Sequence, residues 1–336
     1  MGDEVLQIAG LVKSYGARRV LDGVDMTVAR GQVIGFLGPN GAGKTTVMSI
    51  ATGLLTPDAG EVRLFGVTGG ARRPQLRMRI GYLQEKPRLY PEMSARDYLT
   101  LFARLHGVAR PATRVERLLE RFGLADSACR PLASFSRGMQ QRACLARVLL
   151  HEPEFLILDE PTLGLDPSGL ADMRATFRDL RDRGMTLLFS SHQLAEMERI
   201  CDGVVLLSGG RVLAQGRPAD LLPTADGGEG LRVELVEAVG SVLGAIRDIE
   251  GVVAAREAGA HLAEVLWRPA QSCGDRDRRA SLAKALTAAG LTVLSVGSAP
   301  PTLEDLFLTL TRDRPAPQPQ QGESPWTSAI RTSAVS

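Results

Sequence analysis

The sequence predicts an α/β fold: a mostly parallel sheet covered on both faces, followed by a smaller α+β unit. Three observations carry this. Five short apolar runs, at 33–37, 80–83, 155–158, 186–189 and 204–207, are mostly separated by helix-like stretches. Such continuous runs read as strands buried on both faces. A loop of Gly-Pro-Asn-Gly-Ala-Gly-Lys-Thr at 38–45 joins the first run to a helix-like segment from Thr46. Beyond about residue 230 the pattern changes to β-α-β-β-α-β.

The elements follow in order. Runs at 6–8, 20–21 and 24–28 read as antiparallel strands and make a β subdomain. Residues 92–135 break the strand–helix rhythm and read as a mostly helical insertion. There Ser94 with Asp97 forms a helix N-cap arrangement, and 115–122 is a second amphipathic run. A helix is expected at 141–150. Pro-Thr-Ala-Asp-Gly-Gly-Glu-Gly at 223–230 has linker composition. Strands at 231–235, 252–255, 262–267 and 291–296, with helices at 239–249 and 280–289, predict a ferredoxin-like domain. A last helix starts at Thr302, and the Pro-, Gln- and Ser-rich chain from Arg312 reads as disordered. The expected division is a first domain at 1–222, a linker at 223–230, an accessory domain at 231–311 and a tail at 312–336.

Composition sets outer limits. The 336 residues allow one large or two medium domains, and 44% hydrophobic residues can fill a sizeable core. Lys+Arg 40 against Asp+Glu 38 leaves a formal charge of +2, so no nucleic-acid partner is expected. Cys129, Cys144, Cys201 and Cys273 are far apart and read as reduced thiols. The start, Met1-Gly-Asp-Glu, does not resemble a signal peptide. No stretch approaches the roughly 20 apolar residues of a membrane span, so a membrane role requires another chain to supply the spans.

Residues 38–45 carry the clearest chemistry. In the loop Gly38, Pro39, Asn40, Gly41, Ala42 and Gly43, the glycines let backbone N–H groups turn around phosphate oxygens, at a helix N-terminus that favours anions. Lys44 can reach the outer phosphates, the hydroxyl of Thr45 can ligate Mg²⁺, and Thr46 completes the cradle. The run at 155–158 ends in Asp159-Glu160. Ligands of such sheets bind at the carboxyl ends of strands, where the loop also sits. Adjacent residues there point different ways, so Asp159 fits the Mg²⁺ partner and Glu160 the base that orients the attacking water. Ser136-Arg-Gly-Met-Gln140 precedes a helix and makes a second anion site, although alone it is an ordinary capped helix. Taken singly, Tyr15 is a turn residue and Gln84 a polar strand end.

Together and in this order, the segments resemble the ATP-binding cassette ATPases, the nucleotide-binding subunits of ABC transporters. The resemblance covers residues 5 to about 220. Gly38–Thr45 is similar to the Walker A motif and 155–160 to Walker B. Gln84 resembles the Q-loop glutamine near Mg²⁺, and Leu163-Gly-Leu-Asp166 the D-loop, with Asp166 beside nucleotide. His192 resembles the switch histidine at the γ-phosphate, and Tyr15 the aromatic that stacks on adenine. The signature departs from the commonest form: Phe135-Ser-Arg-Gly-Met-Gln replaces Leu-Ser-Gly-Gly-Gln. Ser136 and Gly138 are retained as γ-phosphate contacts, and the role of Gln140 stays open.

The resemblance implies ATP and Mg²⁺, with Thr45, Gln84 and Asp159 about the metal, and Glu160, His192 and Gln84 as the catalytic set. It implies two cassettes meeting head to tail, as a homodimer or with a second cassette, and an integral membrane permease as partner. Pro300-Pro-Thr-Leu-Glu-Asp-Leu-Phe-Leu is similar to the closing helix of antibiotic-resistance cassettes. The reading is therefore the ATPase subunit of an exporter, peripheral on the cytoplasmic side of the membrane. An importer subunit and a non-transport cassette acting on ribosomes or nucleic acid are the alternatives. Residues 231–311 read as a stabilising, dimerising or regulatory unit. Residues 85–93 are expected to receive the permease, with Leu89 and Tyr90 as anchors; otherwise both pack onto the helical insertion.

Overall fold

The structure is a computed structural model describing residues 4–69, 73–87, 89–191, 200–221, 229–267 and 278–299, with 302, 303, 306, 307 and 310. The six-stranded central sheet has the order β10 (Arg211–Gly216), β9 (Gly203–Ser208), β3 (Val33–Leu37), β8 (Thr186–Ser191), β7 (Phe155–Leu158), β6 (Ile80–Leu83). All neighbours are parallel except β10 on β9. The apolar runs are continuous because alternate side chains enter two cores. Val33, Leu37, Leu156, Leu158, Leu187 and Phe189 face one. Ile34, Phe36, Phe155, Ile157 and Leu188 face the other.

The second core is closed by an antiparallel sheet and by α1 (Lys44–Ala51). In that sheet β1 (Glu4–Tyr15) pairs with β2 (Arg18–Ala29) and β4 (Ala59–Leu64), which carries β5 (Val67–Thr68). The runs at 20–21 and 24–28 are one strand, because Gly23 adopts φ 75° and the pairing with β1 shifts register around it. Nothing in the sequence reading anticipated β4, β5 or β10.

A short helix, α2 (Pro74–Arg77), precedes β6, and the first core holds the helical insertion. Ser94 caps α3 (Ala95–Leu105), its hydroxyl accepting from the Asp97 N–H at 3.1 Å. Next comes α4 (Pro111–Arg121), and Ser136 caps α5 (Arg137–Val148), with α6 (Pro167–Asp182) after the second site strand. Leu303 and Leu306 are buried in this same core.

Beyond residue 228, β11 (Glu229–Leu235), β12 (Val252–Gly259), β13 (Leu262–Trp267) and β14 (Val293–Ser298) form an antiparallel sheet in the order β12-β13-β11-β14. With helices Val239–Arg247 and Arg278–Ala288 the connectivity is that of a split βαβ unit. Leu231, Val233, Val265, Leu282 and Leu286 give it a core of its own. Most of the 223–230 segment and all of the tail from Arg312 lie outside the described residues.

Candidate functional site

The site is set by three adjacent strands. The loop at 38–43 leaves β3, Ser190 and Ser191 end β8, and Asp159-Glu160 leave β7, so all three meet at one carboxyl edge. The loop's path needs glycine at its entry: a Cβ on Gly38 would stand 2.2 Å from the Leu207 carbonyl oxygen. Helix α1 then begins with no side-chain cap and no acidic residue in its first turn. Its first N–H groups are left for an anion.

A cleft of about 550 Å³ opens here. Pro39, Asn40, Gly41, Gly43, Lys44, Thr45 and Thr46 form one wall, and Asp159 and Glu160 another. Tyr15 stands at its side, 52% exposed, a surface open to stacking. Arg18 and Val20 also line it and were not singled out as site residues from the sequence, and Glu85, expected only in the segment that receives the permease, lines it as well. Gly38 and Ala42 support the loop, and the Gly38 carbonyl accepts from Lys44 Nζ at 2.6 Å.

Charges here are buried. Lys44 is 7%, Asp159 1% and Glu160 8% exposed. Lys44 Nζ lies 3.8 Å from Glu160 Oε1. Ser190 joins the two acids: its hydroxyl donates to Asp159 Oδ1 at 2.6 Å and accepts from the Glu160 N–H at 2.8 Å. Asp159 Oδ2 is buried with no hydrogen-bond partner. An unsatisfied buried carboxylate oxygen is costly. A divalent cation at that oxygen removes the cost, so the residues fit Mg²⁺. Glu160 adopts φ 47°, a left-handed conformation unusual outside glycine.

Ser136, Gly138 and Asp166 are not in this cleft. They line a second one of about 390 Å³ with Arg137 and Gly164. Asp166 caps α6 through Gly169 N–H at 2.8 Å. Gln140 Nε2 donates to the Leu132 carbonyl at 3.1 Å, which ties the start of α5 to the insertion. Gln84 is exposed just after β6 and lines neither cleft. His192 lies outside the described residues.

A phosphate cradle, a buried lysine and a strand-end acid pair define a nucleotide-binding ATPase of the phosphate-loop class. Comparison with known proteins narrows the class. Residues 21–163 match the family model for ABC transporters. The chain is 39% identical over 317 residues to the daunorubicin resistance ATP-binding protein DrrA3 of Streptomyces coeruleorubidus, covering 93% of this chain and 98% of that one. It is 31% identical to the linearmycin resistance ATP-binding protein LnrL of Bacillus subtilis, covering 91% and 98%. A solved ATP-binding subunit of an ABC transporter superposes with a TM-score of 0.59 at 34% identity, over 65% of this chain and 91% of that one. A Clostridium perfringens component of the cbiONQ ABC transporter complex gives 0.61 at 29%, over 66% and 92%. The chain belongs to the ATP-binding subunits of ABC transporters, and with that family it binds and hydrolyses ATP.

Proposed function

We propose that this subunit drives export through a separate membrane permease, two cassettes closing head to tail around two ATP. One observation carries the pairing. Within one chain the phosphate cradle with its acid pair occupies one cleft, and Ser136 with Gly138 occupies another. Two chains facing each other bring the second cleft of each against the first cleft of its partner. Relatives named for daunorubicin and linearmycin resistance and for Nod factor export support an outward direction. No helix among the described residues is long and apolar enough to cross a membrane, which fits a peripheral subunit on the cytoplasmic face.

In this reading Lys44 and the loop N–H groups hold the phosphates, and Tyr15 stacks on adenine. Asp159 and Thr45 would hold Mg²⁺, which when bound neutralises charge on the outer phosphates, and Gln84, outside the cleft in this structure, joins them only if its segment moves inward. Glu160 orients and deprotonates the attacking water. His192 contacts the γ-phosphate, Ser136 and Gly138 contact it from the partner chain, and Asp166 lies beside the nucleotide. Of residues 231–311, expected as one accessory unit, those up to 299 form the separate unit that follows 223–230, with a stabilising, dimerising or regulatory role, whereas Leu303 and Leu306 pack in the cassette core.

Complementation tests the pairing. Ser136→Arg and Lys44→Ala should each abolish turnover alone. Mixed, they should regain ATPase activity from one intact composite site per heterodimer. A mixture no more active than its components at any ratio sinks the head-to-tail arrangement. Export is tested by efflux from cells expressing the chain with a multi-span permease, against cells expressing the Lys44→Ala subunit.

A further inference from the structure

A third cleft, of about 400 Å³, lies at the opposite end of the sheet from the nucleotide site. It forms where the end of α3 and the start of α4 meet the residues that enter β6 and β7, Met78 and Glu152 among them. None of its lining residues belongs to the two clefts above.

Its wall is basic. Arg110, Arg114 and Arg117 recur at four and three residues along α4 and so share a face. Arg114 is fixed: Nη2 donates to the Leu149 carbonyl at 2.6 Å, Nε to that of Leu150 at 3.3 Å, and Nη1 pairs with Glu152 at 3.0 Å. Arg110 and Arg117 are exposed and have no side-chain partner among the described residues. One carboxylate, Glu152, thus faces three guanidinium groups, and it is itself 74% exposed. Helix α4 opens with Pro111 and has neither a side-chain cap nor an acidic residue in its first turn, where Thr113 presents a hydroxyl.

Two imidazoles close the cleft. His106 and His151 stack with centroids 4.4 Å apart and planes at 15°. His151 Nε2 bonds the Ile80 carbonyl at 2.9 Å, which requires a proton on Nε2. Its Nδ1 is buried without a partner. Val108 and Leu150 supply apolar surface alongside.

We propose that this cleft binds a phosphate group, held by Arg110, Arg117 and the fixed Arg114 with the Thr113 hydroxyl. Guanidinium forks that line one cleft match the geometry and charge of phosphate better than those of a single carboxylate. The phosphate can come from an anionic lipid headgroup or from a free phosphate compound.

The test uses the full chain with Lys44→Ala, which removes the main phosphate-binding cation of the nucleotide cleft. Probes are inorganic phosphate and glycerol 3-phosphate in solution, and phosphatidylglycerol–phosphatidylcholine vesicles against phosphatidylcholine alone. The ring C–H resonances of the four histidines report where binding occurs. His106 and His151 should move together while His261 stays still. Arg110→Ala with Arg117→Ala should weaken binding by about tenfold for each arginine with an unchanged thermal melt. A response to the soluble probes identifies free phosphate as the source, and a response to phosphatidylglycerol vesicles alone identifies a headgroup. The proposal is overturned by no movement of His106 and His151 with any probe, by movement of His192 alone, or by undiminished affinity in the double variant.

Discussion

The Ser190 hydroxyl sits 2.6 Å from Asp159 Oδ1, while the other oxygen of that buried carboxylate has no hydrogen-bond partner among the described residues. Because the hydroxyl also accepts from the Glu160 N–H, one small side chain on β8 fixes both acids that leave β7. Ser190→Ala should leave a buried carboxylate oxygen and a buried N–H without a partner. The stability cost should be about 1–3 kcal/mol, read from urea midpoints. ATPase activity should fall while nucleotide affinity without Mg²⁺, which depends on Lys44 and the loop, stays near wild type. Full activity in Ser190→Ala would show that the acids hold their places without it.

Glu160 is held at φ 47° with Oε1 3.8 Å from Lys44 Nζ. A non-glycine residue in that region costs on the order of 1–3 kcal/mol, and such strain gathers at functional sites. Glu160→Gln keeps shape and backbone but is a poor base. Turnover should drop by about 10²–10⁴, and an ATP-dependent dimer should accumulate on size exclusion. Wild-type turnover would remove Glu160 from its role.

Lys44→Ala acts at the earlier step. Nζ is the cation at the loop, 2.6 Å from the Gly38 carbonyl, and no other lysine among the described residues lines the cleft. ATP affinity, measured by calorimetry, should fall by at least tenfold, as for loss of a charge-assisted contact. Unchanged affinity would place ATP elsewhere.

How much of this was legible follows from burial. The five parallel strands were readable because burial on two faces leaves no polar residue to interrupt the run. The chain around Lys44 was readable because a phosphate cradle demands glycines at fixed steps. By contrast, β4 reads Ala-Gly-Glu-Val-Arg-Leu and buries only Leu64 fully, so its pattern is that of a loop. Ser190 was invisible because its importance comes from the neighbouring strand: β8 lies beside β7 in the sheet but 31 residues away in the chain. Arg18 and Val20 were missed for the same reason, reaching the nucleotide cleft from the antiparallel sheet.

Acid titration probes a contact far from the chemistry. Glu154, just before β7, takes a bidentate bond from Arg79 at 2.5 and 2.9 Å and another from Arg30 at 3.0 Å. The Arg79 bond, with help from Arg30, holds its carboxyl down to about 2 from 4.5 against opposing desolvation. A depressed carboxylate stabilises the fold fully above its unfolded value and loses that contribution as pH falls. Wild type should therefore exceed Glu154→Gln in stability at neutral pH, and the gap should close between about pH 4.5 and about 2. With the carboxylate 39% exposed, screening holds the gap to about 1 kcal/mol or less. A gap that is constant across this range would assign the difference to packing.

Leu89 and Tyr90, which the sequence presents as one anchor pair, have different surroundings. Leu89 is half-buried and packs on the core of the helical insertion. Tyr90 is 51% exposed, with its ring 6.5 Å from Phe102 and 6.3 Å from Tyr98 on α3. The packing alternative thus applies to Leu89 and in part to Tyr90, and we propose the docking role only for the exposed face of Tyr90 on the segment that follows Gln84. Leu89→Ala should cost about 1–2 kcal/mol in urea unfolding, at the low end of core truncations because the site is only partly buried. Tyr90→Ala should cost less than about 1 kcal/mol, since the half-exposed ring gives up one edge contact with Tyr98 and one loose stacking contact with Phe102. Its effect should appear when the permease is present: basal ATPase unchanged, stimulation by the reconstituted permease reduced, and efflux from cells lowered. If Tyr90→Ala is stimulated as strongly as wild type, the permease is received elsewhere on the cassette.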